Sequence, residues 1–343
     1  MAFHQLIQRL LLVGVRFDSP PEPVPRPPER LAPLIESLSA AHSSFDRRAI
    51  PYGHRYRNGF WAIYLLSALA VLCAVMPLAL GWDSPAHAAH RYSGLWALAE
   101  VVVIGIVSAI YWRGHRSDWQ GEWLRARTTA ELTSYLPMIA PLLDFSKPSD
   151  EPNWYSRVLD PGQYLGTSED VSKLCEQNEA LARRQLSGAW SDPSFRTAYA
   201  RWATEVLLVQ QHYHARVAAR QSALLHRAHR VTGVLFGLTA LGAIMHLFLH
   251  TLWLSLVTTF FPALAASLHG ALAQSESYRL HATSERLEVE LRDTIGRIRT
   301  IMENDGAAGP ELLKAAVQSA IALILEEHQD WQMLVRPHHL PLG

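Results

Sequence analysis

The longest uncharged run in the chain extends from Val231 to Ser275 and contains no Lys, Arg, Asp or Glu. A water-soluble helix of that length would need a polar face, and this run has none. A short link divides it into Val231–Leu249 and Leu252–Ala273, each close to the about 20 residues that carry a helix across a bilayer. A second pair precedes it. Gly59–Leu80 is uncharged, and Ser93–Trp112 carries a single acid, Glu100. Only helices and closed barrels can satisfy their backbone polar groups in lipid. The fold expected is therefore an all-α membrane protein with two transmembrane helical hairpins, four spans in all, and long helical cytoplasmic extensions.

Orientation follows from the positive charges. Of the 31 Lys and Arg, all but Arg91 lie on the side shared by both termini and the central region. The positive-inside rule makes that side the cytoplasm, and the location expected is the inner, or plasma, membrane. Trp61, Trp112 and Trp253 stand at the ends of these segments, where amphipathic rings favour the interface. Leu6–Val15 is too short and too interrupted to span, and no small-residue cleavage site follows it, so it reads as neither span nor signal peptide.

The remaining chain reads as helix. Residues 1–50 form a Pro-rich N-terminal cytoplasmic segment, with a stiff spacer over Ser19–Pro33. Residues 51–143 hold the first hairpin and a polar helix continuing from Arg113 to Tyr135, ended by Pro137 and Pro141. Residues 144–192 are rich in Pro, Ser, Asp and Gly and read as a loop region with short helices. Residues 193–303 form a second, longer hairpin, because no Gly or Pro occurs between Pro193 and Gly233. Its arms carry apolar stripes, Trp202, Val206, Val209, Tyr213, Val217 and Leu224 on one and Leu280, Leu287, Leu291, Ile295, Ile298 and Met302 on the other, which would pack together. Residues 304–343 form a C-terminal helix, beginning at Gly309-Pro310, and a tail. Arg125, Thr129 and Glu131 match Arg279, Thr283 and Glu285 at a constant offset, each set just after the second span of its hairpin.

Several chemistries are disfavoured. With 31 acidic residues balancing the basic ones, the chain lacks the cationic surplus of a nucleic-acid binder. Two cysteines, Cys73 and Cys175, give neither a disulfide framework nor a CxxC site. The 17 histidines supply no complete ligand set. His212 and His214 diverge on a helix, and no third ligand accompanies His226 and His229 or the tail pair His338 and His339. No GxSxG, P-loop or Gly-rich strand–helix turn is present. No enzyme activity, cofactor or metal is expected, and Arg125, Glu131 and Glu285 read as interhelical contacts.

The informative polar residues lie inside the spans. A carboxylate there costs several kcal/mol unless protonated, paired or hydrated, so Glu100 reads as a pore or gating position, or as a structural hydrogen-bonding group near the outer interface. His269 reads as a residue lining an opening at the cytoplasmic end, and His246 as structural near the outer end. Pro262 bends the fourth span, as a fixed kink or a gating hinge. Gly233 and Gly237 form GxxxG, and Ala266 and Gly270 a second small-residue pair. Both permit close helix approach, within the monomer or in a homo-oligomer.

HRYRNGFWAIYLLSALAVL from His54 to Leu72, DWQGEWLRARTTAEL from Asp118 to Leu132 and LLVQQHYHARVAARQSALLHRAHRVTG from Leu207 to Gly233 together resemble a group of bacterial membrane proteins. FPALAASLHGALAQSESYRLHATSERL and the C-terminal EEHQDWQMLVRPHHLPLG extend the likeness. The chain is similar to the SLATT family, the SMODS- and SLOG-associating two-transmembrane effectors, or to a tandem four-span relative. That resemblance implies an effector of bacterial antiphage or conflict systems, triggered by a nucleotide-based signal and acting by pore formation or membrane disruption. The sequence holds no sensor domain, so a cytoplasmic partner would supply sensing. The expectation is a non-enzymatic effector that oligomerises and permeabilises the bilayer; the alternative is a membrane-anchored scaffold that recruits a cytoplasmic partner without conduction.

Overall fold

A computed structural model describes residues 2–15, 25–143, 145, 154, 168–249, 251–275, 277–304 and 309–335. The described residues form helices and turns, with no strand among them. Four helices are long and apolar enough to cross a membrane.

Two units are built on one plan: a long helix carries two shorter ones laid end to end along it. In the first, α2 (Ala32–Ala79) runs 48 residues, a turn containing Gly81 at φ +70° reverses the chain, and α3 (Ser93–Arg116) packs on the apolar half of α2. Next, α4 (Trp119–Ile139) packs on its polar half. Antiparallel cross-links hold that pairing. Arg127 pairs with Asp46 at 3.0 Å, Arg48 with Glu122 at 2.7 Å, and the His42 ring donates to the Ala130 carbonyl at 2.9 Å. In the second unit the long helix is α6 (Pro193–Phe248), 56 residues and about 84 Å at 1.5 Å per residue. It carries α7 (Trp253–Gln274) on its apolar end and α8 (Ser277–Glu303) on its polar end. The equivalent links are His281 donating to the Ala218 carbonyl at 3.1 Å and His214 meeting the Ser284 hydroxyl at 3.5 Å.

The units join through α2 and α7 at the apolar end, where Phe60, Trp61 and Ile63 meet Leu268, Ala271 and Leu272. At the other end one large core gathers Leu34 and Leu38 of α2, Leu136 and Ile139 of α4, Tyr199 and Leu207 of α6, and Leu291 and Ile295 of α8. Two further helices close it, α5 (Ser168–Leu186) and α9 (Gly309–Val335). Full burial of each aliphatic side chain there contributes on the order of 1.5–3 kcal/mol. The Tyr199 hydroxyl, buried in this core, donates to the Met138 carbonyl at 2.6 Å, and burial pushes its pKa upward.

Several sequence expectations change. The boundary drawn at residue 50 falls inside α2, which continues through Pro51. A mid-helix proline costs about 3 kcal/mol, and packing against α4 on both sides of that turn outweighs it. The helix expected to continue from α3 breaks at Ser117–Asp118, where Asp118 adopts φ +41°, and α4 runs on past Pro137. Within the expected loop region, residues 168–186 form a helix whose buried face is Val171, Cys175, Asn178, Ala182 and Leu186. Most of residues 144–167, part of the Ser19–Pro33 spacer, and His338 and His339 lie outside the described residues. Trp112 and Trp253 are exposed, whereas Trp61 is fully buried between the units rather than placed at their rim.

One short helix precedes these units. Its residues, α1 (Phe3–Leu11), dock on α2 and α6 beside the first turn of the apolar half of α2, with Ile7, Leu11 and Leu12 against the core.

Candidate functional site

The apolar halves of α2, α3, α6 and α7 leave unusual amounts of surface uncovered. Only 6% of the apolar stretch is buried in α3, and 6% in α6. Leu95, Leu98, Val101 and Ile104 on α3, and Val234, Leu241, Ile244 and Leu247 on α6, are exposed. Polar groups set into this surface are the candidate site.

Glu100 lies on α3, half-buried, seven residues beyond the helix start at Ser93, or about 10 Å of rise. It is within electrostatic reach of the Cys73 thiol of α2, itself buried. No hydrogen bond or ion pair to the Glu100 carboxylate is present among the described residues. The adjoining stretch of α2 contains Pro77 inside the helix. A proline supplies no N–H, so the carbonyl four residues earlier, that of Cys73, loses its helical donor. A carboxyl and an underused carbonyl thus stand on facing helices. A carboxyl inside a span needs a hydrogen-bonding partner, water or a cation beside it.

The glycines divide sharply. A Cβ on Gly270 would strike the Tyr64 ring of α2, so Gly270 sets the approach of α7 to α2. A Cβ on Gly242 would lie 2.9 Å from Val257 Cγ1, so Gly242 sets the approach of α6 to α7. The close contact within the chain that Gly233 and Gly237 could have made is therefore made at Gly242, about one and a half turns beyond Gly237. Those two glycines are exposed, with nothing within 4 Å of an added Cβ. Ala266 is likewise exposed, while its neighbour Ala265 is buried. Sequence reasoning missed Gly242 because spacing cannot say which way a helix is rotated about its axis.

Pro262 lies within α7, which continues through it. The carbonyl it deprives of a donor belongs to Thr258, whose methyl group faces Gly242. His269 is exposed and joins a three-ring cluster at the junction of α6, α7 and α8, 6.2 Å from the His229 ring and 6.1 Å from that of Tyr278. The Tyr278 hydroxyl and His229 Nε2 are hydrogen-bonded at 3.0 Å. His246 is exposed near the end of α6.

The ion pairs differ from expectation in one respect. Arg125 pairs within α4, with Asp118 at 3.0 Å and Glu122. Glu285 meets His281 of its own helix at 3.9 Å. Arg127, like the Arg48–Glu122 pair, bridges helices, holding Glu131 of α4 and Asp46 of α2. Hydrogen bonds from Arg125 and Arg48 hold the Glu122 carboxyl below the usual carboxylate range.

Comparison with family models, curated proteins and solved structures gives no match.

Proposed function

We propose that this chain is a non-enzymatic multi-pass protein of the bacterial inner membrane that associates with further copies and perturbs the bilayer when its cytoplasmic helices receive a signal. In this reading the apolar halves of α2, α3, α6 and α7 are the four spans, and both termini with the α4, α5, α8 and α9 body are cytoplasmic. The distribution of Lys and Arg supports that orientation. The observation that carries the reading is the uncovered apolar surface of α3 and α6, with the half-buried Glu100 set beside it. Lipid covers such surface in the resting protein. Further copies replace lipid through the open Gly233–Gly237 face, where small residues favour backbone approach.

Assembly brings several Glu100 carboxyls near one another, and a ring of acids in a low-dielectric surround takes up water or cations. Pro262 and His269 stand along the α7 path by which movement of the body would reach the spans. A cytoplasmic partner carrying a nucleotide-derived signal is the trigger that the SLATT resemblance implies, with no nucleic acid bound. The test is leakage from dye-loaded vesicles reconstituted with the protein, with candidate cyclic nucleotides or the product of a neighbouring gene added. Triggered leakage that Glu100→Ala abolishes supports the reading. Absence of leakage under every trigger, with a partner nevertheless retained on the vesicles, overturns it in favour of a non-conducting scaffold.

A further inference from the structure

Where α1 docks, several cationic side chains collect, with no acid paired to them among the described residues. His4, buried in α1, donates from its backbone N–H and from ring Nδ1 to the Asn58 side-chain oxygen, both at 2.9 Å. Its ring stands 5.5 Å from that of His54. One helical turn along α2, the Arg57 guanidinium lies half-buried over the Trp123 ring, 5.0 Å from its centroid, in space that Gly53 leaves open. From α6, Arg220 reaches Gln8 of α1 at 3.1 Å.

Two features of this cluster lack an explanation within the chain. Arg57 makes no hydrogen bond or ion pair among the described residues, and its neighbour Arg127 engages Asp46 and Glu131 itself. The Nδ1 atom of His54 is buried with no hydrogen-bond partner. A partly desolvated guanidinium over an aromatic face gains from the ring but still lacks a counter-charge. Burial first, then Arg127, lowers the pKa of Arg57. Burial first, then Arg57, lowers that of His54. Among the described residues, no acid contributes to either. The Asn58 oxygen is spent on His4, leaving its amide N–H groups as further donors.

We infer that Arg57, His54, Asn58 and Arg220, roofed by α1, form a binding site for a phosphate group. Guanidinium groups are matched to phosphate by their planar array of donors. The site lies two residues before the uncharged stretch that begins at Gly59. If that stretch is a span, as proposed above, the site is level with the cytoplasmic headgroups, and an anionic phospholipid can deliver the phosphate while its tails follow the apolar surface of α2. This lipid source rests on the membrane reading; the site itself does not, since a free phosphate satisfies the same donors.

The test uses the full chain in nanodiscs of phosphatidylcholine, with and without phosphatidylglycerol. Bound lipid is counted by native mass spectrometry, and inorganic phosphate is titrated separately against thermal stability in neutral detergent. Selective retention of phosphatidylglycerol is expected, falling on the order of tenfold or more in Arg57→Gln and in Arg220→Gln. Arg57→Lys is expected to restore part of it, and Arg47→Gln, at a cation outside the cluster, to leave it unchanged. Stabilisation by inorganic phosphate without lipid preference identifies a soluble phosphate as the ligand. Equal retention of both lipids together with no response to phosphate overturns the site, as does unchanged binding in both Arg57→Gln and Arg220→Gln. Failure to enter nanodiscs at all contradicts the membrane reading, while the detergent titration still decides the site.

Discussion

Gly270 and Gly233 are both glycines in apolar helices, yet their surroundings make them opposite tests. Leucine at position 270 must displace the Tyr64 ring of α2, and overpacking of this kind costs about 1–3 kcal/mol. Gly270→Leu is therefore expected to lower the unfolding temperature in detergent. Gly233→Leu points into open space and should change monomer stability by less than about 0.5 kcal/mol. His4 offers a second test. Burial, reinforced by Arg57, His54 and Arg220, lowers its pKa from 6.5 to about 4, against the opposing hydrogen bond that its ring donates to Asn58. Between those values the undocked helix binds more protons than the docked one, so the stability that His4 lends to docking of α1 is fully present above about pH 6.5 and is lost progressively as pH falls toward 4. Hydrogen exchange across α1 should accelerate over that window, and His4→Gln should remove most of the pH dependence. Exchange in the unsubstituted protein that is flat with pH would contradict it.

The break between α3 and α4 depends on Asp118 in a left-handed conformation, its side chain accepting from the Gly121 N–H at 3.2 Å and pairing with Arg125. Alanine there loses the cap and keeps the unfavourable φ, a cost of about 1–2 kcal/mol. Asp118→Gly relieves the φ and should fall between the two in thermal unfolding. This break was not legible in the sequence. A polar helix with regularly placed tryptophans reads as continuous, and only the packing of α4 along the polar half of α2 requires the chain to realign. The same cause hides the continuity of α2 through Pro51. The extent of α5, where the sequence suggested only short helices within a loop region, was hidden for a different reason. Its buried positions recur at helical spacing but include Asn178 and Cys175, so the face carries little apolar weight, and large partners such as Trp154, which donates to the Cys175 carbonyl at 3.1 Å, come from elsewhere in the chain. By contrast, α6 was legible as one helix because nothing between Pro193 and Gly233 interrupts it.

Across the whole molecule, the four apolar helices were visible because a helix surrounded by lipid has no use for a charged face, and that demand leaves long uncharged runs. The repeat between the halves also acquires a structural meaning. Arg125, Thr129 and Glu131 lie on α4, and Arg279, Thr283 and Glu285 on α8, the second short helix of each unit. The residues touched by His42 and His214, Ala130 and Ser284, follow the same offset. What the sequence could not reveal was helix rotation, which decides that Gly242 rather than Gly233 meets a neighbour, and that Arg57 pairs with no acid among the described residues. The central claim is that the apolar halves of both units cross one bilayer with the helical body on a single side. Single cysteines at the exposed positions Asp83, Thr251, Ser187 and Gly296, introduced after Cys73→Ala and Cys175→Ala, test it with a membrane-impermeant thiol reagent on intact spheroplasts. Labelling at 83 and 251 alone, with 187 and 296 reached only after permeabilisation, is the result expected; labelling of 187 or 296 in intact spheroplasts would contradict the account.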